Sequence, residues 1–367
     1  MISDKYKNSR RIDVFSFTET GSALNRRLLH IFEEQGIACA GYTIRKYAKE
    51  GLRPLPENMK EKIGGTWGES DLIFIGAAGI AVRYIAPWVK DKFTDPAVIV
   101  IDETCSYVIP LLSGHVGGAV SLADWIALQT GGIPVHTTAT DVQEKFAVDV
   151  FAKKNYLRIM NRETAKKISA AVLDGETIAV YAPGFEIRSE QMPGQLVLCE
   201  SEEKCGNYRF QIRIQKETGE SGETDKTVLR LEPARVVLGA GCRKGLDPEI
   251  FEEQVSAVLE QNGIHPSDLA ALASINLKKE ESAMRRLAEK WKLPFFIYSA
   301  EQLNEVEKVS CTSEFVKKTT GTDNVCERAA QRMCMEVCGK EGKLIRGKYA
   351  EAGMTAALVR MPQELIF

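Results

Sequence analysis

Apolar residues fall into short runs separated by stretches with helical spacing, the pattern of alternating strands and helices. RIDVFSF (11–17) reads as a strand, TETG (18–21) as a turn and SALNRRLLHIF (22–32) as a helix. ACAGYTI (38–44) is a weaker strand. Asp71–Ile75 is a third, ended by the glycine loop GAAG (76–79). VIVID (98–102) and YVIPLL (107–112) are separated only by Glu103–Ser106. That gap predicts an antiparallel hairpin, because a parallel crossover needs about a dozen residues. A helix over Ala119–Gln129 and a strand IPVHTT (133–138) follow. Residues 1–141 are therefore expected to form a Rossmann-like domain with a mixed sheet.

The pattern thins over 142–233. TIAVYAP (177–183) and YRFQIRI (208–214) are strands, and KETGESGETDK (216–226) is a polar loop or linker. A small middle α/β domain is expected here. A third α/β domain, 234–367, opens with the strand Val236–Leu238, a glycine loop, and a helix with Asp247 at N-cap and Pro248 at N1. DLAALASIN (268–276), PFFIY (294–298) and GMTAALVR (353–360) are strands, and Glu280–Trp291 and Val325–Cys338 are helices. The fold class is α/β throughout, with parallel or mixed sheets.

A chain of 367 residues is too long for one ordinary core, which agrees with several domains. Lys+Arg (48) and Asp+Glu (50) nearly cancel, so no basic field invites nucleic acid. No apolar run reaches membrane-spanning length, and MISDKYKNSRRID lacks a signal peptide's apolar stretch; the expected setting is cytoplasmic. A homodimer stays open. Nine irregularly spaced cysteines with no CxxC pair suit free thiols in a reducing compartment better than a protein metal site. Cys326, Cys334 and Cys338 fit a buried helical face.

Candidate chemistry sits in the glycine loops after strands, where free N–H groups and helix N-termini face ligands. Gly76, Gly79, Gly114, Gly117, Gly118, Gly239, Gly241 and Gly245 all fall at such places, either as ligand approaches or as bare turns. GAGCRKG (239–245) misses the dinucleotide fingerprint, because Lys244 stands where the third glycine belongs. Arg243 and Lys244 suggest an anion cradle, or two solvated cations. Cys242 beside them would be expected to favour the thiolate, but no histidine near it in sequence offers a base. Of His30, His115, His136 and His265, the first suits an amphipathic helix, the third a core strand and the last a turn. His115 lies in the strand-to-helix loop SGHVGG (113–118), where a general base belongs. The hairpin puts Asp102 and Glu103 roughly 15–20 Å from it by strand rise. TTATD (137–141) should share its edge instead, so Asp141 and the hydroxyls of Thr137, Thr138 and Thr140 are its expected neighbours. Ser113 lacks the G-x-S-x-G elbow, so an acyl-enzyme is not expected.

FIGAAGIAVRYIAP (74–87), DKFTDPAVIVIDE (91–103), LLSGHVGGA (111–119), PVHTTATD (134–141), VVLGAGCRKG (236–245) and LASINLKKEE (272–281) together resemble the cobalt-precorrin-5A hydrolase family of anaerobic cobalamin biosynthesis. Lys278, Glu281, Gly321, Glu327, Ala329 and Ala330 extend the resemblance, and the middle segment matches by position and length. Val120 and Ser121 depart from the Asn and Glu expected in the family. The resemblance implies a hydrolase that opens the δ-lactone of cobalt-precorrin-5A and expels acetaldehyde. Cobalt would arrive with the corrinoid substrate, so no cofactor is expected. His115, Ser113 and Asp141 would be catalytic. Gly76, Gly79, Arg83, Gly114, Gly117, Gly118, Thr137, Thr138, Gly241, Arg243 and Lys244 would bind the substrate. A non-catalytic tetrapyrrole carrier and a nicotinamide-dependent oxidoreductase are the alternatives.

Overall fold

The structure is a computed structural model that describes residues 10–91, 94–137, 145–187, 192–216 and 226–367. The chain divides after Lys145 into two compact units. No helix among the described residues is long and apolar enough to cross a membrane.

The first unit holds a seven-stranded sheet of order β3-β2-β1-β4-β5-β6-β7. Its strands are β1 (Arg11–Ser16), β2 (Cys39–Thr43), β3 (Arg53–Pro54), β4 (Ser70–Ile75), β5 (Val98–Ile101), β6 (Tyr107–Leu112) and β7 (Ile133–Pro134). All neighbours are parallel except β5 and β6, which form the expected antiparallel hairpin. The central strands are buried on both faces, which is why they read as near-continuous apolar runs. Ile12, Val14, Ile73 and Ile99 face helices α1 (Glu19–Glu34) and α4 (Ala119–Thr130). Phe15, Leu72, Phe74 and Val98 face α2 (Met59–Gly65) and α3 (Ala78–Ile85). TETG is not a free turn: Thr18 caps α1 by accepting from Gly21 N at 3.1 Å, and Glu19–Gly21 are its first residues.

The second unit has two larger sheets. One, of order β11-β9-β12-β13-β8, contains β8 (Leu157–Ile159), β9 (Ile178–Tyr181), β11 (Leu196–Leu198), β12 (Phe210–Ile214) and β13 (Val228–Pro233). Only its β13–β8 pair is antiparallel. Helices α5 (Val148–Lys154), α6 (Arg162–Leu173) and α7 (Glu202–Cys205) accompany it. The other, of order β16-β15-β14-β18-β17, contains β14 (Val236–Cys242), β15 (Leu269–Ile275), β16 (Phe295–Tyr298), β17 (Lys343–Glu351) and β18 (Met354–Arg360). Helices α8 (Pro248–Gln261) and α9 (Ser282–Trp291) pack on one face. Helices α10 (Ala300–Asn304), α11 (Glu314–Thr320) and α12 (Val325–Cys338) accompany the other face. Asp247 caps α8 through the N–H groups of Glu249 and Ile250, as expected. Short strands β10 (Glu186–Ile187) and β19 (Glu364–Leu365) pair in parallel. Leu365 is buried in the core that Phe151 and Ile168 share, and the Phe367 ring stacks on Phe151 at 4.7 Å.

The expected glycine loop after Leu238 is instead the continuation of β14. Gly239, Ala240 and Gly241 pair with Ala357, Ala356 and Thr355 of β18. Gly239 is there because α12 lies directly on the strand: a Cβ would sit 1.8 Å from the Cys326 carbonyl oxygen. Ala329 and Ala330 are small for the same reason and fully buried.

Candidate active site

β6 runs opposite to β5, so its end lies beside the start of β5, with Leu112 paired to Val98. The SGHVGG loop leaves from that edge. Ser113 has φ +56, a left-handed conformation that costs a non-glycine residue roughly 1–2 kcal/mol. Such strain survives where the surroundings enforce it, often at functional sites. Ser113 is buried, and its hydroxyl has no hydrogen-bond partner among the described residues. Gly117 closes the loop against it, since a Cβ there would meet Ser113 Cβ at 2.3 Å. Gly118, at φ +86, opens α4 without a side-chain cap. His115 is partly exposed between them.

The loop bonds to itself. Gly118 N donates to the His115 carbonyl (3.1 Å), Ala119 N to Ser113 (3.2 Å) and Val120 N to Gly114 (3.0 Å). These N–H groups are therefore not the open donors that the sequence suggests, whereas the Ser113 hydroxyl has no partner among the described residues.

β7 is shorter than expected and runs parallel to β6, with Pro134 beside Val108. The chain therefore heads toward the edge where β6 ends, and exposed Thr137 lies on that path. Thr138, Thr140 and Asp141 lie outside the described residues. His136 is not a core residue as its strand position implied. The strand stops two residues earlier, and the imidazole Nε2 pairs with Asp124 of α4 at 2.9 Å, both side chains partly exposed. Asp124 carried no sequence signal, since only the fold brings it beside His136.

GAAG lies at the other end of the sheet. Gly76, at φ +143, donates its N–H to the Ile101 carbonyl at 2.8 Å, next to Asp102. Gly79 and Arg83 are exposed on α3. Within this unit, Gly76 and Gly79 are separated from the His115 loop by the length of β4, roughly 17–20 Å. The Asp102 carboxylate is consumed by the hairpin turn, accepting from Thr104 N (2.9 Å) and Tyr107 N (2.5 Å). Its partial burial would raise its pKa, but these bonds outweigh burial and hold it below the usual range.

In the second unit, β14 delivers Cys242, Arg243 and Lys244 to a sheet edge. Gly241 is not a loop residue but a strand residue facing Thr355. Arg243 and Lys244 are exposed and form no ion pair among the described residues. Arg243 is fixed at its root by a bond from its N–H to the Gly353 carbonyl at 2.7 Å, with its stem over that glycine. Gly245, at φ +70, donates to Glu281 at 3.0 Å, and Glu281 pairs with Lys278 at 3.0 Å. Cys242 is not a thiolate: burial pushes it up to about 11, Lys278 offsetting only part. Cys326 and Cys334 are buried on α12, as their spacing suggested, while Cys338 at its end is only partly buried. Buried Glu327 is a group whose structural role the sequence concealed. Burial would raise its pKa, but it accepts from Ser310 N (2.7 Å), Lys348 N (2.6 Å) and the Ser310 hydroxyl, which hold it below its ordinary value. His265 caps a turn by accepting from Ser267 N, and His30 is exposed beside Glu34 at 3.3 Å.

Comparison with known proteins matches three family models along the chain. Cobalamin synthesis G N-terminal covers 63–141, Cobalamin biosynthesis central region 146–206, and Cobalamin synthesis G C-terminus 236–359. The cobalt-precorrin-5A hydrolase of Salmonella typhimurium is 33% identical over 95% of this chain and 97% of its own. That of Priestia megaterium is 29% identical over 86% and 87%. A solved cobalamin biosynthesis protein G homolog from Sulfolobus solfataricus aligns over 96% of this chain and 98% of its own, at 22% identity and TM-score 0.41.

Proposed function

The chain belongs to the cobalt-precorrin-5A hydrolase family, and from that premise we propose that it hydrolyses cobalt-precorrin-5A, opening the δ-lactone and releasing acetaldehyde to give cobalt-precorrin-5B. The observation that carries the site assignment is the Ser113–His115 turn, a strained serine whose buried hydroxyl has no partner among the described residues, two residues from a histidine. His115 takes a proton from water as it attacks the lactone carbonyl. The Ser113 hydroxyl donates to the oxygen on which charge develops. Asp141 is assigned to orienting the base, and Thr137 and Thr138 to binding the substrate. Gly114, Gly117 and Gly118 serve by shaping the turn. Gly76, Gly79 and Arg83, on another edge of the first unit's sheet, contact a different part of the macrocycle. In the second unit, Arg243 and Lys244 are cations suited to substrate carboxylates. Cobalt belongs to the substrate. The nine cysteines are all free thiols, which supports a cytoplasmic setting. Gly239 and Gly241 are used up by sheet pairing and helix contact, which speaks against a dinucleotide site.

Anaerobic incubation with cobalt-precorrin-5A should yield one acetaldehyde per corrinoid. Binding without acetaldehyde would make the protein a carrier. In the same assay, replacing Arg243 and Lys244 together by alanine should raise KM about tenfold or more, increasingly with salt, and leave kcat nearly unchanged. A collapse of kcat at constant KM would contradict the binding role.

Strain at Ser113 gives a second expectation. Ser113→Gly removes the Cβ that disfavours φ +56 and should stabilise the first unit by about 1 kcal/mol. Acetaldehyde release should fall about tenfold through loss of the hydroxyl. Thermal melting beside the assay reads both effects; unchanged turnover would remove Ser113 from the reaction.

A further inference from the structure

The parallel strands β9, β12 and β13 of the second unit end at one edge. Strand order reverses there: the chain passes from β9 outward to β11, then returns to β12 on the other side of β9. Ligands of open α/β sheets sit beyond the strand ends at such a reversal. A cavity of about 300 Å³ occupies this place. Phe185 follows β9 into its wall, Lys216 follows β12, and Arg235 and Arg360 enter from the ends of β14 and β18.

Arg235 is only 7% exposed, yet it forms no ion pair among the described residues. Its guanidinium donates to the carbonyls of Asn155 (3.0 Å) and Pro362, lies 5.6 Å over the Phe185 ring, and has an Nε without a partner among the described residues. Burying a cation is costly unless something compensates it, and the Glu364 carboxylate, itself paired with Lys340, offsets only part of that cost. The same wall adds exposed Arg360, which also forms no ion pair among the described residues, and Lys216, which pairs with Asp268. Among the described lining residues, three cations therefore face one carboxylate around a space too small for a corrinoid ring.

We propose that this cavity binds a carboxylate group, the planar partner that guanidinium forks match. The carboxylate belongs either to a free small organic acid or to an acidic arm of the macrocycle. The free-acid reading stands independently of the hydrolytic centre, and the arm reading rests on the proposed function.

Titration calorimetry on the full chain tests it with three probes: succinate, inorganic phosphate and metal-free uroporphyrin I, which carries acetate and propionate arms. Arg360→Gln carries the test, because Arg360 is exposed, whereas Arg235→Gln would strand two backbone carbonyls. Succinate binding that weakens about tenfold or more in Arg360→Gln establishes a free-acid site. Silence toward succinate, with porphyrin binding weakened to the same extent, establishes an arm site. Equal binding by wild type and variant overturns the proposal, as does wild-type binding of phosphate alone or of no probe.

Discussion

Replacing His115 by alanine lowers acetaldehyde release about 10²–10⁴-fold, the usual cost of losing a general base. The protein remains folded, because His115 is partly exposed on a loop held by the backbone bonds of Gly118, Ala119 and Val120 and by contact between Gly117 and Ser113. Unchanged circular dichroism and melting temperature would show this. With Asp141 in the proposed orienting role, Asp141→Asn is expected to reduce release less, since that change alters the base without removing it. The competing possibility is that the lactone opens without protein assistance once the corrinoid is bound. His115→Ala would then retain most of its turnover, and the base assignment would fall. The size of the effect separates this from an indirect loss through binding, which would appear in KM and be overcome by substrate.

Replacing Gly239 by alanine destabilises the second unit by about 3 kcal/mol or more, at the upper end for overpacking a tight core. The added carbon would meet the Cys326 carbonyl oxygen at 1.8 Å, its carbon at 2.8 Å and Ala330 Cβ at 3.0 Å. Two of these are backbone atoms of α12 and cannot swing aside, so the helix must lift from the sheet. A melting temperature lower by roughly 6–12 °C is expected. Gly241→Ala is milder, because its nearest obstacle is the Thr355 hydroxyl at 2.7 Å, the end of a side chain. If Gly239 instead served ligand approach, its alanine variant would melt like wild type and lose substrate affinity.

The difference between those glycines shows where sequence reading reached its limit. Periodicity located the strands with apolar runs, and the four-residue gap after Asp102 was enough to predict the β5–β6 reversal. GAGCRKG looked like a loop because a glycine run has no apolar pattern. Its cause is a helix almost ninety residues later along the chain, so no local signal distinguished close packing from ligand approach. β17 escaped for a related reason. It is an edge strand, and KLIRGKYAE keeps its charged side chains in solvent, so no alternation shows. The histidines divide the same way. The place of His115 on a strand-to-helix loop was legible from its flanking glycines. The pairing of His136 with Asp124 depends on how far β7 extends, which one proline and a threonine pair do not specify. Arg235 was invisible as a site residue because its burial without an ion pair among the described residues is a property of its surroundings.

The contact between residues 364–367 and the core around Phe151 constrains the order of folding during synthesis. Ile366 N donates to Asn155 at 2.8 Å, Lys154 bonds the Phe367 carbonyl at 2.8 Å, and Leu365 fills the core beneath. A ribosome that has just made β13 has already delivered all five strands of that sheet but none of residues 364–367. The nascent sheet must therefore wait, with apolar surface open, while the whole β14–β18 region is translated. Cutting the gene at 233 should yield a fragment that aggregates, and supplying 364–367 as a separate peptide would compensate poorly, because it trades a tethered contact for one that must be found by diffusion.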